Sequence, residues 1–150
     1  MNKVDKILKL KLNNLLFIGS SIIFNLAVSG VYIASKIDHQ TLLKVFGTIV
    51  FLLIIPFTIS LIGYIETKTK KKIIISNIII ICYLFLEVML DYVLKIPFRE
   101  ILALHVPYIM VFYAATFSMI GVARIMSRKI GLLVLLTFLV MIGCLIYYLA

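Results

Sequence analysis

Five stretches of this chain are apolar at nearly every position: residues 15–35, 42–65, 73–94, 101–123 and 130–149. Each is about 20 residues long, the length at which an α-helix crosses the hydrocarbon core of a bilayer. Inside a membrane the backbone must satisfy its own polar groups, so a helix is the form open to such a run. The connectors are too short for a soluble domain. The expected fold is therefore all-α: residues 1–150 as one transmembrane domain, a bundle of five helices. Hydrophobic residues make up 64% of the chain. Soluble domains are about half apolar, and a chain of this size could not bury the excess in its own core.

Charge placement sets the expected orientation. Lys3, Lys6, Lys9 and Lys11 precede the first run, Lys68, Lys70, Lys71 and Lys72 fill the second connector, and Arg124, Arg128 and Lys129 fill the fourth. The first and third connectors hold only Lys36, Lys44, Lys95 and Arg99. Basic residues favour the cytoplasmic side, which predicts a cytoplasmic N-terminus and an external C-terminus. The same reading accounts for the net charge of +9. These charges sit at helix ends beside anionic headgroups, and no polar domain exists to carry a nucleic-acid surface. Arg124 and Arg128 read as anchors that snorkel to the interface. The first run is long and lacks a small-residue cleavage pattern, so it is expected to be a retained span. Lysine- and isoleucine-rich usage points to a prokaryotic plasma membrane. The expected partners are the lipid bilayer and a small solute or cation, with a homo-oligomer or a membrane-protein partner open, and no nucleic acid.

Two acidic residues break the third run. Glu87 and Asp91 lie one helical turn apart, and a carboxylate within a span normally faces a partner, a cavity or a pathway. The 4-3-4-4 spacing of Ser76, Ile80, Tyr83, Glu87 and Asp91 predicts one common helix face. Lys95 extends that face and is expected to pair with Asp91. His105 and Tyr108 open the fourth run on the same side, and Asp38 and His39 lie in the first connector, also outside. On the first run Asn25 shares a polar stripe with Ser21, Ser29 and Tyr32. This stripe is expected either to hydrogen-bond between helices or to face Tyr83 and Glu87.

The candidate site is thus Glu87, Asp91, His105, Tyr83, Tyr108 and Asn25. It reads most directly as a place that binds or moves a small solute, cation or proton in the outer leaflet. Paired carboxylates can share a proton or hold a cation, and histidine titrates near neutral pH. A structural reading stands beside it, with Glu87 neutral or bonded to Asn25. A metal site from Glu87, Asp91, His105 and His39 uses acceptable ligand types, but lacks the spacing of known zinc motifs. A bis-histidine haem would need both His39 and His105, which lie at helix ends. The sequence names no cofactor. A membrane enzyme acting on a lipid or isoprenoid, and a non-catalytic accessory subunit, are the alternatives in other functional classes. Nucleotide-binding, serine-hydrolase and zincin motifs are absent.

Other features bear on packing. Pro56 predicts a kink in the second span, with the hydroxyls of Thr58 and Ser60 available to the freed carbonyl. Gly30 and Ala34, and the stripe Ala114, Ser118 and Gly121, predict close helix contacts or a dimer seam. Cys82 and Cys144 read as small packing residues. Tryptophan is absent, so tyrosines are expected at the interfaces.

Overall fold

The computed structural model describes residues 2–150 and is helical almost throughout. The elements are α1 (Lys3–Lys36), α2 (Gln40–Leu52), α3 (Ile54–Glu66), α4 (Lys71–Val88), α5 (Leu102–Met126) and α6 (Arg128–Leu149). A π-helical turn, Met89–Val93, continues α4. Counting α2 with α3, and α4 with its π turn, five rods are long and apolar enough to cross a membrane.

The rods run alternately up and down. Successive rods pack together, and α6 closes the ring on α1. Aromatic side chains fill the centre. Phe17, Phe24, Phe57 and Tyr64 are completely buried, and Tyr83 and Phe112 nearly so. Their rings meet edge-on, as in Phe17–Phe57 at 5.5 Å and Phe24–Tyr83 at 5.9 Å. That geometry suits the quadrupole of the rings. The outward faces carry exposed Ile55, Ile62, Leu132, Leu136 and Leu139, the surface expected against lipid.

The second rod breaks at Leu53. Pro56 has no N–H, so the Leu52 carbonyl loses its helical donor. The hydroxyls nearby do not serve it. Thr58 Oγ1 donates to the Ile54 carbonyl at 2.7 Å, and the buried Ser60 Oγ has no partner among the described residues. Three connectors turn through a left-handed residue that is not glycine: Asp38, Lys68 and Lys95. At the first two, the bonds His39 N→Ala34 O (2.9 Å) and Thr69 N→Tyr64 O (3.1 Å) close the helix end.

Small residues mark the tight crossings, but only some of those expected. A Cβ on Gly30 would come within 2.7 Å of the Phe46 ring, so this glycine seats α2 on α1. Ala34 is buried as well. The stripe on α5 behaves otherwise. Ala114 is exposed, Gly121 has open space at its Cβ position, and Ala115, Met119, Val122 and Ala123 form the packed face. The tightest approach is at Gly63 of α3, where a Cβ would overlap the side-chain amide of Asn13 on α1.

The inward face of α4 is Ile73, Asn77, Ile80, Tyr83 and Leu84, so Asn77 takes the buried position expected for Ser76. Asn77 is fully buried, and neither its amide nitrogen nor its oxygen has a hydrogen-bond partner among the described residues. Burying such a group unpaired costs about 1–3 kcal/mol. Asn77→Leu, the closest apolar shape, should therefore raise stability by about 1 kcal/mol or more, after some loss to imperfect packing. Thermal unfolding in one fixed detergent checks this; a lower midpoint would show that the amide is held by interactions worth keeping.

Candidate functional site

One end of the bundle gathers the 37–39 and 94–101 connectors and the end of α4. Here Glu87 lies at the centre of a hydrogen-bonded group, with its side chain 17% exposed. Tyr83, one turn earlier on α4, donates to Glu87 Oε2 at 2.6 Å. Tyr108 of α5 donates to the same oxygen. The two hydroxyls are 3.1 Å apart, so the three groups form a closed triangle. The other carboxylate oxygen, Oε1, faces Arg99 Nη2 at 3.5 Å, a long contact.

Arg99 binds Asp91 more closely. Its Nη1 and Nη2 donate to the two Asp91 oxygens at 2.8 and 2.9 Å, a bidentate arrangement. Two local features produce this. The π turn, closed by Leu94 N→Met89 O at 2.8 Å, carries Asp91. The connector then folds back, because Phe98 is fully buried and packs against the Tyr108 ring, tilted to it by 58° with centroids 4.6 Å apart. The guanidinium lies 4.4 Å over the Phe98 ring, a cation–π contact. Partial burial works against the Arg99 charge. The Asp91 hydrogen bonds and the nearby carboxylates more than offset this, holding its pKa above the ordinary arginine value. Arg99 is therefore a permanent cation, spanning two carboxylates.

Two expectations are corrected, and for Asn25 the first of its two expected roles, bonding between helices, is the one found. Asp91 pairs with Arg99 and not with Lys95, whose left-handed backbone, φ 49°, ends the helical register that would have brought them together. Asn25 does not reach Glu87. Its Nδ2 donates to Thr137 Oγ1 at 2.9 Å and to the Val134 carbonyl at 3.4 Å, joining α1 to α6. The residue that α1 turns toward Tyr83 is Phe24. His39 caps α2, its Nδ1 accepting from Leu42 N at 3.3 Å, and so faces its own helix.

His105 lies beside the site. Its ring stacks on Tyr108 at 6.4 Å, and its buried Nδ1 has no partner among the described residues. Among the described residues, no three of His, Cys, Asp and Glu come together as a set that could hold a metal ion. The metal reading of Glu87, Asp91, His105 and His39 thus lacks its geometry.

Sequence reasoning missed Arg99 and Phe98 as site residues. The signal was a phenylalanine and an arginine directly after Pro97, in a connector otherwise too short to need either. The site contains every element required to hold a carboxylate in two charge states. Ionised, Glu87 accepts from both tyrosines. Protonated, it can donate to Tyr108, which donates to Tyr83, which donates back to Glu87. Each hydroxyl keeps a partner in both states with no movement of heavy atoms.

The fold and site describe a small helical bundle, apolar enough to span a membrane, with one acidic centre near one end. Comparison with models of protein families, with curated proteins and with solved structures gives no match.

Proposed function

We propose that this is a multi-pass membrane protein that takes up a proton or small cation at Glu87, from the outer face, as part of binding or moving a small solute. The N-terminus lies in the cytoplasm and the C-terminus outside, as the eleven basic residues at the opposite end favour. That end assignment puts the Glu87 group in the outer leaflet of what the composition suggests is a prokaryotic plasma membrane.

The observation that carries this reading is the Tyr83–Glu87–Tyr108 triangle, which is fully hydrogen-bonded in either charge state. A group that is satisfied both with and without its proton can exchange it without breaking the packing around it. Arg99 supplies the counter-charge and covers the site from the connector side, with its side chain 52% exposed. Asp91 holds Arg99 in place and would receive a cation that displaces it.

The test is infrared difference spectroscopy of the protein in nanodiscs, stepped from mildly acidic to mildly alkaline pH. Wild type should show a carboxyl C=O band that changes with pH, or with added monovalent cation, and Glu87→Gln should lack it. Tyr108→Phe should shift that band, because it opens the triangle. A wild-type spectrum that Glu87→Gln leaves unchanged at every pH would sink the proposal.

A further inference from the structure

At the other end of the bundle, a groove of about 420 Å³ opens between the start of α1, the α3–α4 connector and the end of α5. Lys6, Lys68 and Lys70 line its mouth. None of the three forms an ion pair among the described residues. Of the acidic residues at this end, Glu66 is taken by Lys9, and Asp5, next to Lys6 in the sequence, is not part of the groove lining. Three ammonium groups converging without counter-charge repel one another, so an anion between them is stabilised by all three. Lys70 is also the cap residue of α4, which sets that helix's free first amides beside the groove and favours negative charge there.

The remainder of the lining is mixed, with Asn14, Thr67 and Thr69 beside the apolar Leu10, Ile73, Ile125 and Met126. Among the apolar members Ile125 of α5 is exposed, Leu10 and Met126 are partly buried, and Ile73 of α4 belongs to the core. Ile125 and Met126 belong to a helix long and apolar enough to cross a membrane, and Ile125 is exposed on its surface, so an apolar edge of the groove opens where lipid would lie. A cationic mouth beside an apolar edge fits a molecule with an anionic head and a hydrocarbon tail. A free phosphate would use only the mouth.

We infer that this groove is a binding site for an anionic phospholipid, with its phosphate held by Lys6, Lys68 and Lys70 and an acyl chain against Ile125 and Met126. The site is separate from the Glu87 group and does not rest on the function proposed for it. Its effect would be to pin α1, the α3–α4 connector and α5 together at the end where the connectors are most highly charged.

The test is native mass spectrometry of the full chain released from phosphatidylcholine nanodiscs containing a minor fraction of phosphatidylglycerol. One phosphatidylglycerol should remain bound in preference to phosphatidylcholine by about tenfold or more. The variant Lys6→Gln/Lys68→Asn/Lys70→Gln should lose that preference; asparagine is used at position 68 because it tolerates the left-handed backbone found there. The control Lys3→Gln/Lys71→Gln/Lys72→Gln removes equal charge at the same end but outside the groove lining, and should keep the preference. Equal loss in both variants would overturn the inference, since it would mean a diffuse surface attraction. Saturable binding of inorganic phosphate in phosphatidylcholine alone, lost in the groove variant, would reassign the site to a soluble phosphate and overturn the lipid proposal. Both sets of substitutions lie on exposed lysines, and an unchanged unfolding midpoint checks that the bundle is intact.

Discussion

Arg99→Met is expected to lower stability by about 1–3 kcal/mol, and Arg99→Lys by less. Methionine keeps the apolar stem over Phe98 but removes the charge, leaving Glu87 and Asp91 facing each other without a cation. Breaking a buried ion pair in this way costs about 3–5 kcal/mol. Here the arginine side chain is 52% exposed and Asp91 27%, so solvent screens part of the loss. Lysine retains the charge but cannot make the two-pronged bond to Asp91. The decisive arm is rescue. Adding Glu87→Gln and Asp91→Asn to Arg99→Met removes the stranded charges and should recover most of the stability. Unfolding midpoints in one detergent, at one pH, read all four proteins. If Arg99→Met matches wild type, or if the triple variant is no better than the single, the arginine does not compensate these carboxylates.

That site shows where the sequence stops being informative. Five rods, the approximate ends of the last four and the shared face of Tyr83, Glu87 and Asp91 are set by hydrophobic length and by the 3.6-residue period, both readable locally, whereas α1 begins at Lys3, well before the apolar run at 15–35. Tyr108 could be placed near Glu87 because the third connector is short. Arg99 could not be paired with Asp91 on the same reasoning, because that pairing depends on Phe98 being buried and turning the connector back on itself. Helical spacing favoured Lys95, and the π turn with its left-handed terminus removed it. Asn25 bonds between helices, one of its two expected roles, but which helix it would meet was not legible. An asparagine stripe says that α1 seeks a polar partner, but its rotation about its own axis is fixed by contacts with α6, over a hundred residues away in sequence. The stripe on α5 shows the same limit. Small residues mark where helices can approach, and the rotation of the helix decides whether they do.

Rotation and approach are tested together at Gly63, where α3 crosses α1. Gly63→Ala should destabilise the bundle by about 1–3 kcal/mol, the usual cost of overpacking a filled site. The added Cβ overlaps the Asn13 amide, and that side chain has little freedom to withdraw. Asn13 is 4% exposed, and the adjoining Tyr64 hydroxyl bonds the Asn13 carbonyl at 3.3 Å and Asn14 Oδ1 at 3.0 Å, which pins this turn of α1. In isolation, glycine to alanine within a helix is favourable by about 1 kcal/mol. The sign of the effect therefore reports the crossing and not the propensity. Gly121→Ala and Gly143→Ala, where a Cβ meets open space, should be neutral or mildly stabilising by comparison. The second-site variant Asn13→Ala clears the amide, so Gly63→Ala made in that background should recover the propensity gain and show strong coupling in a double-mutant cycle. If Gly63→Ala behaves like Gly121→Ala, α3 does not approach α1 at this point. The closed ring of helices that brings α4 to α5, and so Tyr83 and Tyr108 to Glu87, would then need a different arrangement.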